Sequence, residues 1–139
     1  MKTILDILRT AGGYRSKLHL RIENPPHLPL VIEALPVPGP LGLLAISVAH
    51  YGDLKGDLMC DPEMLFELSK PLGGGYALDP FYWRNDYMGI EHRSRALQNG
   101  NYLYLSETHR EHRRFAQEWD DNLMQSGFVA AFRRGYGNP

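Results

Sequence analysis

The densest cluster of chemically reactive side chains in the sequence lies between residues 50 and 63. It consists of His50, Asp53, Asp57, Asp61 and Glu63. Imidazole and carboxylate groups bind divalent cations, and a histidine beside an acid can act as a general base. One hypothesis is therefore a small divalent-metal-dependent hydrolase or nuclease. Its metal ligands would be His50, Asp57 and Asp61, and its catalytic residues would be the same three together with Asp86.

The same residues also have ordinary structural explanations. Asp53 can begin a hairpin turn by accepting a backbone hydrogen bond, and Asp61 precedes a proline, which predicts a β-bulge. Glu63 and Glu67 fit the solvated face of a strand. His50 ends an apolar stripe, where a hydrogen-bonded structural histidine is more common than a metal ligand. These explanations favour a protein that is not an enzyme and that needs no cofactor.

Other catalytic signatures are weak or missing. His109 and His112 are three residues apart, whereas the helical zinc motif places its histidines four apart. In a segment rich in Arg and Glu, this pair is more typical of a solvated helix face. Cys60 precedes Asp61, whose negative charge disfavours a thiolate, so we do not expect a nucleophile there. The glycines at 73–75 lack the spacing of a phosphate-binding loop.

The charge is almost balanced overall but uneven along the chain. The net charge is −1, which argues against direct nucleic-acid binding. Residues 50–67 contain five acidic residues and one basic residue, a local charge of −4. We predict that this acidic segment and the following basic one form opposite electrostatic faces, the basic residues being Arg84, Arg93 and Arg95. The predicted partner-binding residues are Asp53, Asp57, Glu63, Glu67, Tyr82 and Arg84.

The elements that position these residues are predicted from periodicity and turn residues. Apolar spacing predicts a short helix over 3–9 and a long one over 107–126. For the long helix, Ser106 and Thr108 are candidate N-terminal caps, and Thr108 and Glu111 have the spacing of a capping box. Gly127 is the predicted C-terminal cap. Between the helices, alternation predicts strands over 18–23, 30–35, 43–51 and 58–68, with one or two more in 76–92 broken near 85–86.

Three details of the predicted sheet can be checked directly. Six of the ten prolines lie between Pro25 and Pro40, so we predict that the 30–35 strand is an edge strand. The small residues Ala45, Ser47 and Ala49 predict a face on which a helix packs closely. Residues 53–56 predict a hairpin turn, and 71–75 a flexible loop. The predicted fold class is α+β, an antiparallel sheet in a single domain over residues 1–139.

Composition limits the class of protein. The chain has 139 residues, 43% of them hydrophobic, and a single cysteine, which rules out an internal disulfide framework. No apolar run approaches the roughly 20 residues of a membrane span, and the N-terminal segment lacks the features of a signal peptide. We therefore expect a cytoplasmic protein with no membrane partner.

Several motifs together resemble a known family. They are ISVAHY at 46–51, GDLMxDPEMxFE at 56–67, YxxNDYxG at 82–89 and FxxxWxxNLxxxGF at 115–128. This pattern resembles a small domain of unknown function carried by bacterial plasmids, integrative elements and phages. The resemblance implies an accessory protein of a mobile genetic element, and such proteins often inhibit host defences. The prediction is a non-enzymatic protein that binds a host protein or protein–nucleic-acid complex, as an anti-CRISPR or anti-restriction inhibitor.

Overall fold

The computed structural model describes residues 1–70 and 75–136, so the predicted loop at 71–75 lies almost entirely outside the described residues. In the described residues, three helices and eight strands follow one another. They are α1 (Lys2–Thr10), β1 (His19–Ile22), β2 (Leu30–Ala34), β3 (Ala45–Leu54), β4 (Asp57–Ser69), β5 (Ala77–Asn85), β6 (Ile90–Arg93), β7 (Arg95–Gln98), β8 (Asn101–Tyr104), α2 (Ser106–Gln125) and α3 (Phe128–Tyr136).

The first six strands form one antiparallel sheet in sequence order, and β7 and β8 form a separate two-stranded sheet. The predicted α+β class is therefore confirmed. The prediction that the second strand is an edge strand is wrong, because β2 pairs with both β1 and β3. The prolines flank this strand without interrupting it, so its N–H groups remain available on both sides. The edges of the large sheet are β1 and β6.

All three helices contribute to one core on one face of the large sheet. From the sheet, this core takes alternate residues such as Ile32, Ile46, Val48 and Met64. The prediction that a helix packs on the small residues of β3 is wrong. The helices cover the opposite side, because that side carries the branched apolar side chains whose burial gives the larger hydrophobic gain. The other face, which we call the polar face, carries most of the predicted site residues.

Two local predictions for β3 and β4 are confirmed. The strands are joined by a two-residue turn in which Lys55 and Gly56 have φ of 52° and 90°. The Gly56 N–H donates to Asp53 Oδ1 at 2.8 Å. The pairing of the strands shifts between Ala49 and Tyr51, which is the bulge expected beside Pro62.

The long C-terminal helix is confirmed, but its predicted N-terminal cap is wrong. α2 begins at Ser106 directly after Leu105, and no side chain caps it. Ser106 is therefore the first helical residue and Thr108 lies inside the first turn, so neither of them is the N-cap. Gly127, with φ of 82°, follows the end of α2 as predicted, and α3, which we did not predict from the sequence, begins after it. Within the described part of the chain, no helix combines the length and apolarity needed to cross a membrane.

Candidate functional site

Glu67 lies at the centre of the polar face and is fully buried. Its Oε1 accepts a hydrogen bond from Arg95 Nη1 at 2.6 Å, and both side chains are only 1% exposed. Its Oε2 accepts from the backbone N–H groups of Leu41 and Leu43 at 2.9 and 3.2 Å. The prediction that Glu67 lies on a solvated strand face is therefore wrong. The loop of residues 35–44 folds over β4 and excludes water from this position.

The buried ion pair joins three parts of the chain. Arg95 also donates to the backbone oxygens of Pro80 and Asp79, at 3.2 and 3.0 Å. Gly39, in the covering loop, lies so close to Glu67 that a Cβ atom there would overlap the carboxylate side chain. The pair therefore holds the 35–44 loop on β4 and attaches the start of β7 to β5.

The β7–β8 hairpin extends from this attachment point. Its turn is Asn99–Gly100, with φ of 52° and 80°, the conformation that Asn-Gly turns favour. A second attachment holds its far strand, since the Tyr104 hydroxyl lies 3.1 Å from His109 Nδ1. His109 Nε2 in turn lies 2.7 Å from Asp79 Oδ1. Both ends of the hairpin are thus tied to the same residue, Asp79, on β5.

The hairpin presents a group of large apolar and aromatic side chains to solvent. Each of them is at least 42% exposed: Leu97, Tyr102, Leu103, Tyr104 and Leu105. Between β7 and the 35–44 loop runs a groove of about 490 Å³, with Leu65 and Phe81 among its lining residues. We call the hairpin and the facing 35–44 loop the hairpin surface. Our sequence analysis missed it, although the Asn99–Gly100 dipeptide is a strong hairpin signal.

The predicted separation into acidic and basic faces is wrong. Glu63 and Arg84 are direct partners across β4 and β5, and Glu63 Oε1 lies 3.2 Å from Arg84 Nε. Ser47 Oγ donates to the other carboxylate oxygen of Glu63 at 2.6 Å. Arg95 also forms an ion pair with Glu67, so Arg84 and Arg95 neutralise acidic residues on a shared face. Tyr82, also on this face, is buried and hydrogen-bonded to Glu91.

The residues of the metal hypothesis are not brought together. Asp61 accepts a hydrogen bond from Asn85 Nδ2 at 2.6 Å, and Asp86 Oδ2 accepts from the backbone N–H of Cys60 at 2.8 Å. Asp57 is exposed at the start of β4, beside the hairpin turn. Among the residues that the structure describes, no group of three or more His, Cys, Asp or Glu side chains could hold a metal ion.

His50 is packed between the sheet and the helices. Its Nδ1 lies 3.1 and 3.3 Å from the backbone oxygens of Leu28 and Pro29. Since these oxygens only accept, Nδ1 carries the proton in the neutral ring. The ring centre is 5.5 Å from that of Trp119 and 5.4 Å from that of Phe128. Burial lowers the pKa of His50, which keeps the ring neutral at pH 7.

The prediction that His109 and His112 lie on a solvated helix face is also wrong. His112 is 4% exposed, and its Nδ1 lies 2.8 Å from Ser94 Oγ. Burial, reinforced by the nearby His92 and His109, lowers the pKa of His112 to about 4. His109 contacts Asp79 as described above, whereas His112 contacts Ser94. The two rings therefore stabilise different parts of the fold.

Comparison with known protein families identifies the family of this chain. A family model described as "Domain of unknown function (DUF6908)" matches residues 2–129. The chain belongs to this family. The match runs from α1 to the start of α3 and includes the whole hairpin surface. No curated protein and no solved structure matches the chain. The predicted domain of unknown function is thus confirmed, while its origin in mobile elements stays a prediction.

Proposed function

We propose that this protein is a non-enzymatic accessory protein of a mobile genetic element that binds a host protein, alone or in a complex with nucleic acid, through its hairpin surface. In this proposal it acts as an anti-defence inhibitor of a CRISPR or restriction system. One observation carries the binding role. Leu97, Tyr102 and Leu103 protrude on a hairpin that lies outside the main sheet, and each is at least 42% exposed.

Cross-strand pairing places Leu97 beside Tyr102 on one face of the hairpin and Leu103 on the other, so apolar side chains are exposed on both faces. Contiguous apolar patches on soluble proteins mark interaction sites, and tyrosine is enriched at the centres of interfaces. A two-stranded hairpin is at best marginally stable alone in water and gains stability when one face is covered. Among the strands that the structure describes, β7 and β8 pair only with each other, so their outer backbone edges are also available for hydrogen bonding.

The attachments of the hairpin favour binding as well. Arg95 fixes its first strand through Glu67, and Tyr104 fixes its last strand through His109. Because the hairpin is already held in position, less conformational entropy is lost when a partner docks. A loop that moves freely in solution would lose more conformational entropy on binding.

The two exposed acidic residues at the β3–β4 turn supply a second element of the proposal. Asp53 and Asp57 are exposed, and no ion pair neutralises either of them within the described chain. Proteins that hold nucleic acid present Lys- and Arg-lined channels, and exposed carboxylates speed association with such surfaces. Glu67 is buried and is not part of this contact. Glu63 and Arg84 remain predicted contacts whose charges already balance each other.

The binding role is tested by crosslinking mass spectrometry on the tagged protein in a host strain. The test variant is Leu97→Ser/Leu103→Ser, and the matched control is Met88→Ser/Met124→Ser, which changes two exposed apolar residues outside both the hairpin surface and the β3–β4 turn. We expect partner recovery to fall at least tenfold in the hairpin variant only. Both variants should keep their melting temperatures, because exposed side chains contribute little to stability. Equal recovery from both variants would refute the hairpin surface as the interface.

The anti-defence role is tested separately in cells. Strains carrying a defined CRISPR or restriction system are challenged with phage while expressing the wild-type protein, the hairpin variant or the control variant. We expect phage plating efficiency to rise with the wild type and the control, and to stay low with the hairpin variant. If the wild type protects phage against none of the systems, the anti-defence role is wrong even where a partner is found.

A further inference from the structure

The Tyr104 hydroxyl is the first member of a series of hydrogen bonds that runs from the hairpin to the sheet. It lies 3.1 Å from His109 Nδ1, and His109 Nε2 lies 2.7 Å from Asp79 Oδ1. The three residues come from the end of β8, the first turn of α2 and β5. A hydroxyl, an imidazole and a carboxylate in this order form the arrangement that activates a nucleophile for acyl transfer.

The acceptor at each end of the imidazole determines where its proton lies. The Asp79 carboxylate can only accept, so Nε2 carries the proton of the neutral His109 ring. Nδ1 therefore keeps its lone pair and accepts from the Tyr104 hydroxyl. Arg95 Nη2 lies 3.3 Å from the other carboxylate oxygen, so Asp79 is held between the guanidinium and the imidazole. His109 is thus oriented to take the phenolic proton when the Tyr104 oxygen attacks an electrophile.

The imidazole is shielded from solvent, whereas the phenol is open to it. The His109 side chain is 11% exposed, Tyr104 is 51% exposed, and the hydrogen bond that joins them lies at the surface. The two rings meet edge-on with centres 5.3 Å apart, and the ring of Tyr102 stacks against that of Tyr104 at 6.4 Å. These contacts hold the phenol in place while leaving it accessible to a reagent in solution.

The surroundings of Tyr104 favour an uncharged electrophile. Residues 96–105 include no Lys, Arg, Asp or Glu, and the neighbours Leu103 and Leu105 are exposed. A phosphoryl donor carries several negative charges, and proteins hold such groups with Lys, Arg or a metal ion. A thioester is neutral at its reacting carbon and can rest on apolar side chains. The hairpin therefore suits an acyl donor better than a phosphoryl donor.

We propose that Tyr104 is an acylation site that accepts an acyl group from a thioester. The Tyr104 oxygen forms a bond to the thioester carbonyl carbon, and its proton passes to His109 Nδ1. The C–S bond breaks, the departing thiolate takes the proton from His109, and the products are a free thiol and an acyl ester of Tyr104. One acyl group is transferred to each chain, so the reaction is stoichiometric. It goes beyond the proposed binding function and does not require a partner.

The proposal is tested on the purified protein with phenyl thioacetate as the acyl donor. Fragment-ion mass spectrometry follows acetylation with time and separates Tyr104 from Tyr102. Tyr102 and Tyr76 are internal references, because they are 42% and 50% exposed and neither hydroxyl bonds to a histidine within the described chain. We expect Tyr104 to be acetylated about tenfold faster than either reference.

Two outcomes with the wild-type protein would overturn the proposal. One is a Tyr104 rate that does not exceed those of the references. The other is equally fast acetylation of Tyr104 by acetyl phosphate, an anionic donor, at the same concentration. Neither measurement needs a variant, so both remain decisive if a substituted chain does not fold.

The base is tested by His109→Phe, which keeps an aromatic ring but removes both nitrogens. The rate at Tyr104 should fall to that of the reference tyrosines. His19→Phe is the matched control, since His19 also contacts a carboxylate, Glu33 Oε1 at 3.1 Å, and should leave the rate at Tyr104 unchanged. Equal rates at Tyr104 in the wild type and in a folded His109→Phe variant would overturn the proposal.

Asp79 is a positioning residue, and Asp79→Asn tests its role. The amide oxygen should face the Arg95 guanidinium, which leaves the amide N–H₂ facing His109 Nε2 and moves the ring proton to Nδ1. Nδ1 then cannot take the phenolic proton, so the rate at Tyr104 should fall about tenfold or more. Long-range nitrogen–proton NMR should show this change of tautomer, which a loss of packing alone does not produce. A reduced rate with the original tautomer would overturn the proposed relay.

Discussion

Replacement of Glu67 by Gln should destabilise the protein strongly, although the side chain keeps its size. Three donors face the carboxylate: Arg95 Nη1 and the backbone N–H groups of Leu41 and Leu43. An amide has only one oxygen, so its NH₂ group must face at least one of these donors. The substitution therefore removes at least one hydrogen bond and leaves the buried guanidinium without its closest counter-charge.

The size of the effect follows from the burial of both partners. Removing one member of a buried pair costs about 3–5 kcal/mol. Asp79 Oδ2 still lies 3.3 Å from Arg95 Nη2, so we expect the lower end, about 3 kcal/mol. For a chain of this length that corresponds to a fall in melting temperature of about 10 °C.

The assay is equilibrium unfolding in urea, followed by tryptophan fluorescence. Glu63→Gln is the matched control, because Glu63 lies on the same strand and the same face but pairs with an arginine side chain that is 36% exposed. It should cost about 1 kcal/mol or less. A double-mutant cycle with Arg95→Met should give a coupling energy of about 1–3 kcal/mol. If Glu67→Gln is no more destabilising than the control, or the cycle is additive, the assignment of a buried ion pair as the anchor of the hairpin surface is wrong.

Two further predictions concern the helical side of the molecule. Trp119→Ala should lower the free energy of unfolding by about 3–5 kcal/mol, because Trp119 is 5% exposed and packs against His50 in the core. Met124→Ala, on the exposed side of the same helix, should change it by about 0.5 kcal/mol or less, and a similar loss in both variants would contradict this packing. The pKa of His112 is about 4 in the folded protein and 6.5 in its reference state, so the unfolded chain takes up a proton first as the pH falls. Stability should therefore decrease between pH 7 and pH 4, by at most about 3 kcal/mol, and His112→Gln should flatten this dependence in urea titrations at several pH values. An unchanged slope in the variant would show that other groups cause it.

Features that depend on neighbouring residues could be predicted from the sequence. The turn that begins at Asp53 is set by a short-range hydrogen bond and by the left-handed backbone that Gly56 tolerates, and both were visible as residue types. The long helix was equally clear, because its apolar spacing includes Phe115, Trp119 and Leu123. The β7–β8 hairpin belongs in the same class, since the Asn99–Gly100 dipeptide specifies its turn locally.

The burial of a strand residue, in contrast, was decided only by tertiary structure. Glu67 and Arg95 are 28 residues apart, and nothing in the sequence near either of them indicates the other. Whether an acidic residue on a strand meets water depends on what folds over the sheet. Here the 35–44 loop does so, and it can approach because Gly39 has no side chain to collide with Glu67. Hydrophobic alternation determined which residues of β3 share a face, while the packing of distant helices decided which of the two faces became the core.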